Sequence, residues 1–458
     1  MISRERNLMY SLEPKEVPHI NTKYRRIVTK IPVPESLPIL ERLQKYEPRS
    51  MTGQPPIVWD RAEELQVYDK FGNMWLDWSS GVLVTNAGHG RREVRDAIIQ
   101  QAEHGLLHNY CFPSEVRSLL AEKLVNLAPA NMDKAFLLTT GAEATENALK
   151  LARTYGHQHG GKEKNVIISF EDAFHGRTLG AQMMGGMPGL KTWITHPDPD
   201  IIQLPFPDGY YHENLTFEDF EADLAIRDID PDHVAGVILE TYQGATACFA
   251  PQDYIQRLRQ WCTQHDALLI FDEVQAGFGR TGKFFGFEHY GVEADLICCG
   301  KGISSSLPLS AVLGNSRVMD IYPPGAMTST HTGNPICCAA ALANIDLILN
   351  EHLVENAEKV GKVMQAGLYH IQQQKSDIIG IVQGRGLVYG LLIVKPGTKE
   401  PDRALATKIV QHAFEQGLLF FSPVGGATVK IAPPLIITEE AVQEGLEVFA
   451  SAIEQARV

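Results

Sequence analysis

The sequence predicts an α/β protein: a large, mostly parallel sheet covered by helices (an α/β/α domain) and a smaller α+β region at the C-terminal end. Two patterns carry that prediction. Short apolar runs bounded by turn residues recur at Val166–Phe170, Ala235–Glu240, Ala267–Asp272, Asp295–Cys299 and Ser310–Gly314, and runs of that length read as strands buried on both faces. Connections of helix length between them imply βαβ units. The 458 residues also exceed what one small core needs, so two or three domains are expected.

In chain order, residues 1–74 read as an N-terminal arm with a segment of the small domain. Up to about Asp60 the arm is charged and proline-interrupted, with one helical candidate at Ser36–Tyr46. Such an arm packs on another surface, for example a second subunit. Residues 75–350 make the large domain. Leu137-Leu138 ends an apolar strand that turns into a helix running from Ala142 to about Ala152, and Thr140 with Glu143 forms a capping box at its start. A hydroxyl-rich stretch from Met327 to Pro335 precedes an alanine-rich helix at Ala339–Ile348. Residues 351–458 make the small domain. Leu353, Ala357, Val360, Val363, Met364 and Leu368 follow three-to-four spacing. Strands follow at Leu387–Val394 and Thr428–Ala432, with helices at Pro401–Gln416 and Thr438–Ala456.

Composition narrows the function classes. A hydrophobic content of 44% and a charged content of 21% are ordinary for a globular protein. A formal net charge of -14 argues against nucleic acid or an anionic membrane as partner. The cysteines include the adjacent pairs Cys298-Cys299 and Cys337-Cys338 but no CxxC spacing. They read as reduced thiols of a cytoplasmic protein, and no metal site is expected. The charges Arg4, Glu5 and Arg6 are followed by no apolar run, so no secretory signal is expected. No stretch has the uninterrupted apolar length of a membrane span.

The residues that carry chemistry sit at strand ends. Phe271-Asp272-Glu273-Val274-Gln275 closes one apolar run and Gly300-Lys301-Gly302 the next. An acid and a lysine thus emerge into the crevice where open α/β sheets bind ligands. That pair suits pyridoxal 5'-phosphate: the amine forms a Schiff base with the aldehyde, and the carboxylate keeps the pyridine nitrogen protonated. Gly141 and Ala142, at the start of the capped helix, offer free N–H groups and a helix dipole to a phosphate. An ordinary capped helix has the same pattern, and the Asp272/Lys301 pair tips the balance toward the phosphate. Phe174-His175-Gly176-Arg177-Thr178 follows the strand Val166–Phe170. Phe174 suits stacking on a cofactor ring, and Arg177 suits a carboxylate or a structural ion pair. Hydroxyls around Thr330 serve as helix caps or as a second phosphate contact. Gly384-Arg385-Gly386 precedes its strand instead of following one, so it lacks the dinucleotide-binding context.

In order, TGAEATENALKLAR, FHGRT, ETYQG, LIFDEVQAGFGRTGKFFGFEHYGVEADLICCGKGI, STHTGNP and KIAPPLIIT resemble the class III aminotransferases. That family includes 4-aminobutyrate, ornithine, acetylornithine and omega-amino-acid:pyruvate aminotransferases. The resemblance runs from about Pro55 to Ala456. It implies the aspartate-aminotransferase type of fold (fold type I), pyridoxal 5'-phosphate as cofactor, and a homodimer, or a tetramer built from it, with active sites at the subunit interface. By the same resemblance Lys301 is the Schiff-base lysine, Asp272 the pyridinium partner and Gln275 the residue bonding the phenolic oxygen. Gly141 and Ala142 match the phosphate loop, Phe174 the stacked aromatic with His175 beside it, and Thr330 the threonine reaching the partner subunit's phosphate.

Three departures bear on substrate. Ala245 stands where relatives using ornithine or 4-aminobutyrate carry an acid, and relatives using pyruvate often have alanine there. Lys430 replaces the arginine before APPL that holds an α-carboxylate, keeping the charge but losing the two-pronged geometry. Ser422 stands where relatives acting on bulky amines often have arginine. Val82, Arg177 and Lys430 are the candidate substrate residues, with Lys430 and Arg177 competing as carboxylate anchor. The implied reaction is ping-pong transfer of an amino group from an omega-amino acid, amine or amino acid to pyruvate or 2-oxoglutarate, with Lys301 moving the proton. An amino-acid racemase or epimerase is the alternative, if Lys301 returns the proton to the substrate carbon.

Overall fold

The structure, a computed structural model, describes residues 9–457; Arg4, Glu5 and Arg6 lie outside them. Two compact units make up the chain, one of residues 9–83, 88–90 and 359–457 and the other of residues 84–87 and 91–358. The second unit holds the large sheet. Its strands are β1 (Lys134–Leu138), β2 (Val166–Phe170), β3 (Ile201–Leu204), β4 (Val234–Glu240), β5 (Leu268–Asp272), β6 (Leu296–Cys299) and β7 (Ser310–Gly314), in the order β1-β7-β6-β5-β4-β2-β3. From β6 to β3 every pairing is parallel. Ser310–Gly314, expected among the βαβ strands, instead runs antiparallel to both neighbours. The link from Cys299 holds only a single 3-10 turn, too short for the crossover that a parallel strand requires.

All residues of β4 and β5 are buried. Both faces of these strands are covered, so their sequences are continuously apolar and do not alternate. The helix α1 (Gly141–Gly160) buries Ala144, Ala148, Leu151, Ala152 and Tyr155, an apolar stripe at i, i+4, i+7, i+8 and i+11. That stripe packs on Ile167, Ala235, Ile238, Leu268 and Ile270 of the sheet. The capping box fixes its start: Glu143 N–H donates to the Thr140 hydroxyl at 3.2 Å, and Thr140 N–H donates to the Glu143 carboxylate at 2.8 Å. A second helix, α2 (Pro335–Asn350), begins at the Asn334 cap after the hydroxyl-rich loop.

In the first unit, Met74–Asp77 pairs with Gln66–Tyr68, with Arg26–Ile27 and, in parallel, with Leu418–Leu419. This pairing draws residues 75–83 into the first unit, whereas the run of the sequence places them at the start of the large domain. A separate antiparallel sheet joins Ile379–Arg385, Val388–Ile393 and Thr428–Ile431. Gly384-Arg385-Gly386 is used in its hairpin, where Arg385 lies opposite Val388 and Gly386 takes φ +58°, so the glycines serve a tight turn. The boundary between the units falls inside the helix Leu353–Gln374 and not before it. All seven cysteines are free, five of them buried. No helix among the described residues is long and apolar enough to cross a membrane.

Candidate active site

The C-terminal ends of the parallel strands in the second unit gather most of the expected residues. Asp272, the last residue of β5, stands opposite Glu240 of β4 and Cys298 of β6. Lys301 lies just beyond the end of β6, in a 3-10 turn. Burial pushes its amine below the ordinary value, while Asp272 and then Glu240 pull it back up. A partly desolvated amine that gives up its proton more readily than an exposed one is suited to act as nucleophile and base.

Asp272 is buried and doubly bonded: His175 Nδ1 lies 2.8 Å from one carboxylate oxygen, and Val274 N–H donates to the other at 3.1 Å. His175 is itself buried, and among the described residues its Nε2 has no partner. The Nδ1–H tautomer is the one that donates to the carboxylate, so His175 orients Asp272 from behind. Phe174 N–H donates to one oxygen of Glu240 at 2.9 Å, and Gly244 N–H donates to the other at 2.9 Å. Glu240 therefore pins the aromatic segment to the strand end, a role the sequence does not reveal. Its only signal is register, since an acid closing a strand looks like any other.

Gln275 lies against the same turn: a Cβ added to Gly244 would sit 2.3 Å from its Nε2. A Cβ on Gly141 would fall 2.9 Å from Val274, so the start of α1 passes tightly over the segment joining Asp272 to Gln275. The N–H groups of Gly141 and Ala142, in the first turn, have no acceptor within the helix. Arg177 is exposed, with its guanidinium carbon 5.6 Å from the centre of the Phe174 ring, and among the described residues it forms no ion pair. These donors, the buried acid and the half-buried lysine fit pyridoxal 5'-phosphate: N–H groups for its phosphate, Asp272 for its ring nitrogen, Lys301 for its aldehyde.

Thr330 is exposed on the loop before α2, while its neighbour Thr332 donates to Leu137 O at 2.6 Å. Ala245 is buried in the turn between Tyr242–Gln243 and Cys248–Phe249. Val82 and Lys430 belong to the first unit. Val82 sits in a left-handed turn in which Ser80, Gly81, Val82 and Leu83 all have positive φ, a strained conformation for a β-branched residue. Lys430 is buried opposite Gly390 and is not a free cation. Ser422 is engaged within its own unit by Tyr10 and Gly53.

Glu273, beside Asp272, accepts from the N–H groups of Gly286 at 2.7 Å and Phe287 at 2.9 Å and from the Thr241 hydroxyl. Burial outweighs those bonds and lifts its carboxyl from 4.5 to about 7. The folded state thus holds an extra proton between those values, and stability from this group falls as pH rises through that window. In Glu273→Gln that part of the decline is expected to be missing, as read from urea midpoints across the same window. An unchanged slope would show that another group is responsible.

The family model Aminotransferase class-III matches residues 49–453. A 4-aminobutyrate aminotransferase from Mycobacterium leprae is 33% identical over 442 residues, covering 93% of this chain and 97% of that protein. A leucine/methionine racemase from Thermococcus litoralis is 33% identical over 435 residues, covering 92% and 96%. Among solved structures, an amine transaminase from an uncultivated Pseudomonas species, in a PLP-bound form, superposes with a TM-score of 0.82 at 29% identity, covering 87% of this chain and 95% of that one.

Proposed function

The chain belongs to the class III aminotransferases and is therefore a pyridoxal-phosphate-dependent transaminase, and from that premise we propose how its residues divide the work. The cofactor, when bound, supplies an electrophilic carbon and an electron-withdrawing ring. Lys301 holds it through its amine and moves the proton of the substrate carbon. Asp272, oriented by His175, keeps the ring nitrogen protonated. Gly141 and Ala142 bind the phosphate through backbone N–H groups. With the cofactor bound, Phe174 would lie against the ring and Gln275 would donate to its phenolic oxygen. The observation that carries this reading is the pairing of Asp272 and Glu240 at adjacent strand ends, both acting on the half-buried Lys301 amine. Its direct test is the site of attachment, argued in the Discussion.

The substrates are an amino donor (an omega-amino acid, amine or amino acid) and a 2-oxo acid, pyruvate or 2-oxoglutarate. Of the two candidate anchors, Arg177 is favoured: it is exposed beside Phe174 and forms no ion pair among the described residues, whereas Lys430 is buried and already engaged. Arg177→Ala is expected to raise the KM of the oxo acid by about 2–3 kcal/mol, the worth of a lost charged hydrogen bond. Amines without a carboxylate should lose much less. If Lys430→Ala shows that selectivity and Arg177→Ala does not, the anchor is Lys430. Ala245, which leaves the gate position uncharged, favours pyruvate over 2-oxoglutarate as acceptor.

A second copy of the chain is the expected partner. Leu106, Leu107, Tyr110, Phe112 and Leu119 are exposed apolar residues along one stretch of the second unit, and clustered exposure of that kind marks an interface. Sedimentation should show no stable monomer at micromolar concentration; a fully active monomer would remove the basis for a shared site at Thr330. The free, mostly buried thiols favour the cytoplasm. Racemisation is the second reading, supported by the racemase relative. An enantiopure amino acid that loses optical activity without any oxo acid would establish it.

A further inference from the structure

Lys301 is held in a left-handed backbone conformation, φ +41°, that residues with a side chain rarely adopt. Its glycine neighbours would take up that conformation freely; a lysine does not. The following turn is clamped from two sides. From one, Asn344 on α2 donates its side-chain amide to Gly302 O at 2.9 Å and to Ile303 O at 3.0 Å. From the other, the Asn86 amide fills the place of a Gly302 side chain, where an added Cβ would sit 2.5 Å from Nδ2. Asn86 is fixed in turn by the carbonyls of Gly277 and Phe278 and by Arg280.

Asn344 is out of keeping with its helix. It is fully buried, on a helix whose other buried residues include Ala340, Ala341, Ile345 and Ile348, where packing alone selects an apolar side chain. Burying an amide is costly unless it is hydrogen-bonded. Among the described residues its Oδ1 has no partner, so the side chain is there for its donors, and its bonds to Gly302 O and Ile303 O both go to the turn that carries Lys301.

We infer that Asn344 is a positioning residue: it locks the strained turn so that the Lys301 amine is held near Asp272 and Glu240 before any ligand arrives. The inference rests on Lys301 as the cofactor-bearing lysine. It adds a residue that touches neither cofactor nor substrate and that no motif around Lys301 contains.

The test uses the holoenzyme with Asn344→Leu, which keeps the volume and removes both donors, and Asn344→Asp, which keeps the shape and exchanges donors for an acceptor. Measured are kcat and KM, the pH at which the lysine-bound chromophore changes absorbance without substrate, and the thermal midpoint. A positioning role lowers kcat by about 10–100-fold with the donor KM within about threefold, and it shifts the chromophore titration in both variants. A lowered thermal midpoint with kcat and titration as in the wild type would overturn the inference. Where Asn344→Leu does not fold, Gly302→Ala presses on the same turn from the Asn86 side, and an unmoved titration there overturns it too. Failure of the underlying reading is distinct: the wild type itself then gives no borohydride-stable adduct on Lys301, and the inference falls with it.

Discussion

Lys301→Ala is expected to lower turnover by about 10⁴-fold or more, because two functions leave together: the covalent hold on the cofactor and the base that moves the proton. Purified wild-type protein should be yellow, and borohydride reduction followed by peptide mapping should place the adduct on Lys301. The variant should lose the adduct yet remain folded, since β5 and β6 are held by the sheet and not by this side chain. Recovery of the adduct on a different lysine would end the assignment. So would turnover of the variant within about tenfold of wild type.

The second large effect belongs to Asp272. Asp272→Asn keeps the shape and still accepts the hydrogen bond from His175 Nδ1, but it removes the negative charge facing the ring nitrogen. Turnover should fall by about 10²–10³-fold, the usual loss when one preorganised electrostatic partner is removed. His175→Ala should cost less, about tenfold, because it acts only through the orientation of Asp272. Saturating-donor kcat for the two variants and their combination gives the decisive comparison. If Asp272→Asn turns over nearly as fast as wild type, the carboxylate does not tune the ring. If the double variant multiplies the two losses, His175 acts independently of Asp272.

The core of the large sheet was legible in the sequence. Strands buried on both faces leave unbroken apolar runs, and four of the five proposed runs became parallel strands at nearly the proposed bounds. Ser310–Gly314 was legible as a strand but not in direction, because direction depends on what the connection can span. Ile379–Arg385 carried no signal. Gly380 interrupts its apolar residues, with Ile379 on one side and Ile381 and Val382 on the other, and the strand closes on the polar or glycine residues Gln383, Gly384 and Arg385, so no continuous run forms.

The same division holds for the site. Asp272, Lys301, the Gly141–Ala142 turn and Phe174 declared themselves because their chemistry is local: a residue type at a strand end, a capped helix start, an aromatic after a strand. By itself the sequence determined the fold class and the cofactor class and marked the candidate residues for it, since apolar periodicity and turn residues are written along the chain. Only the tertiary structure decided that His175 stands behind Asp272, that Glu240 pins Phe174, that Asn344 holds the Lys301 turn, and that Arg177 is exposed beside Phe174 while Lys430 is buried. Each of those depends on strand register or on contacts between residues far apart in sequence, and no local pattern records which distant group a buried donor will meet.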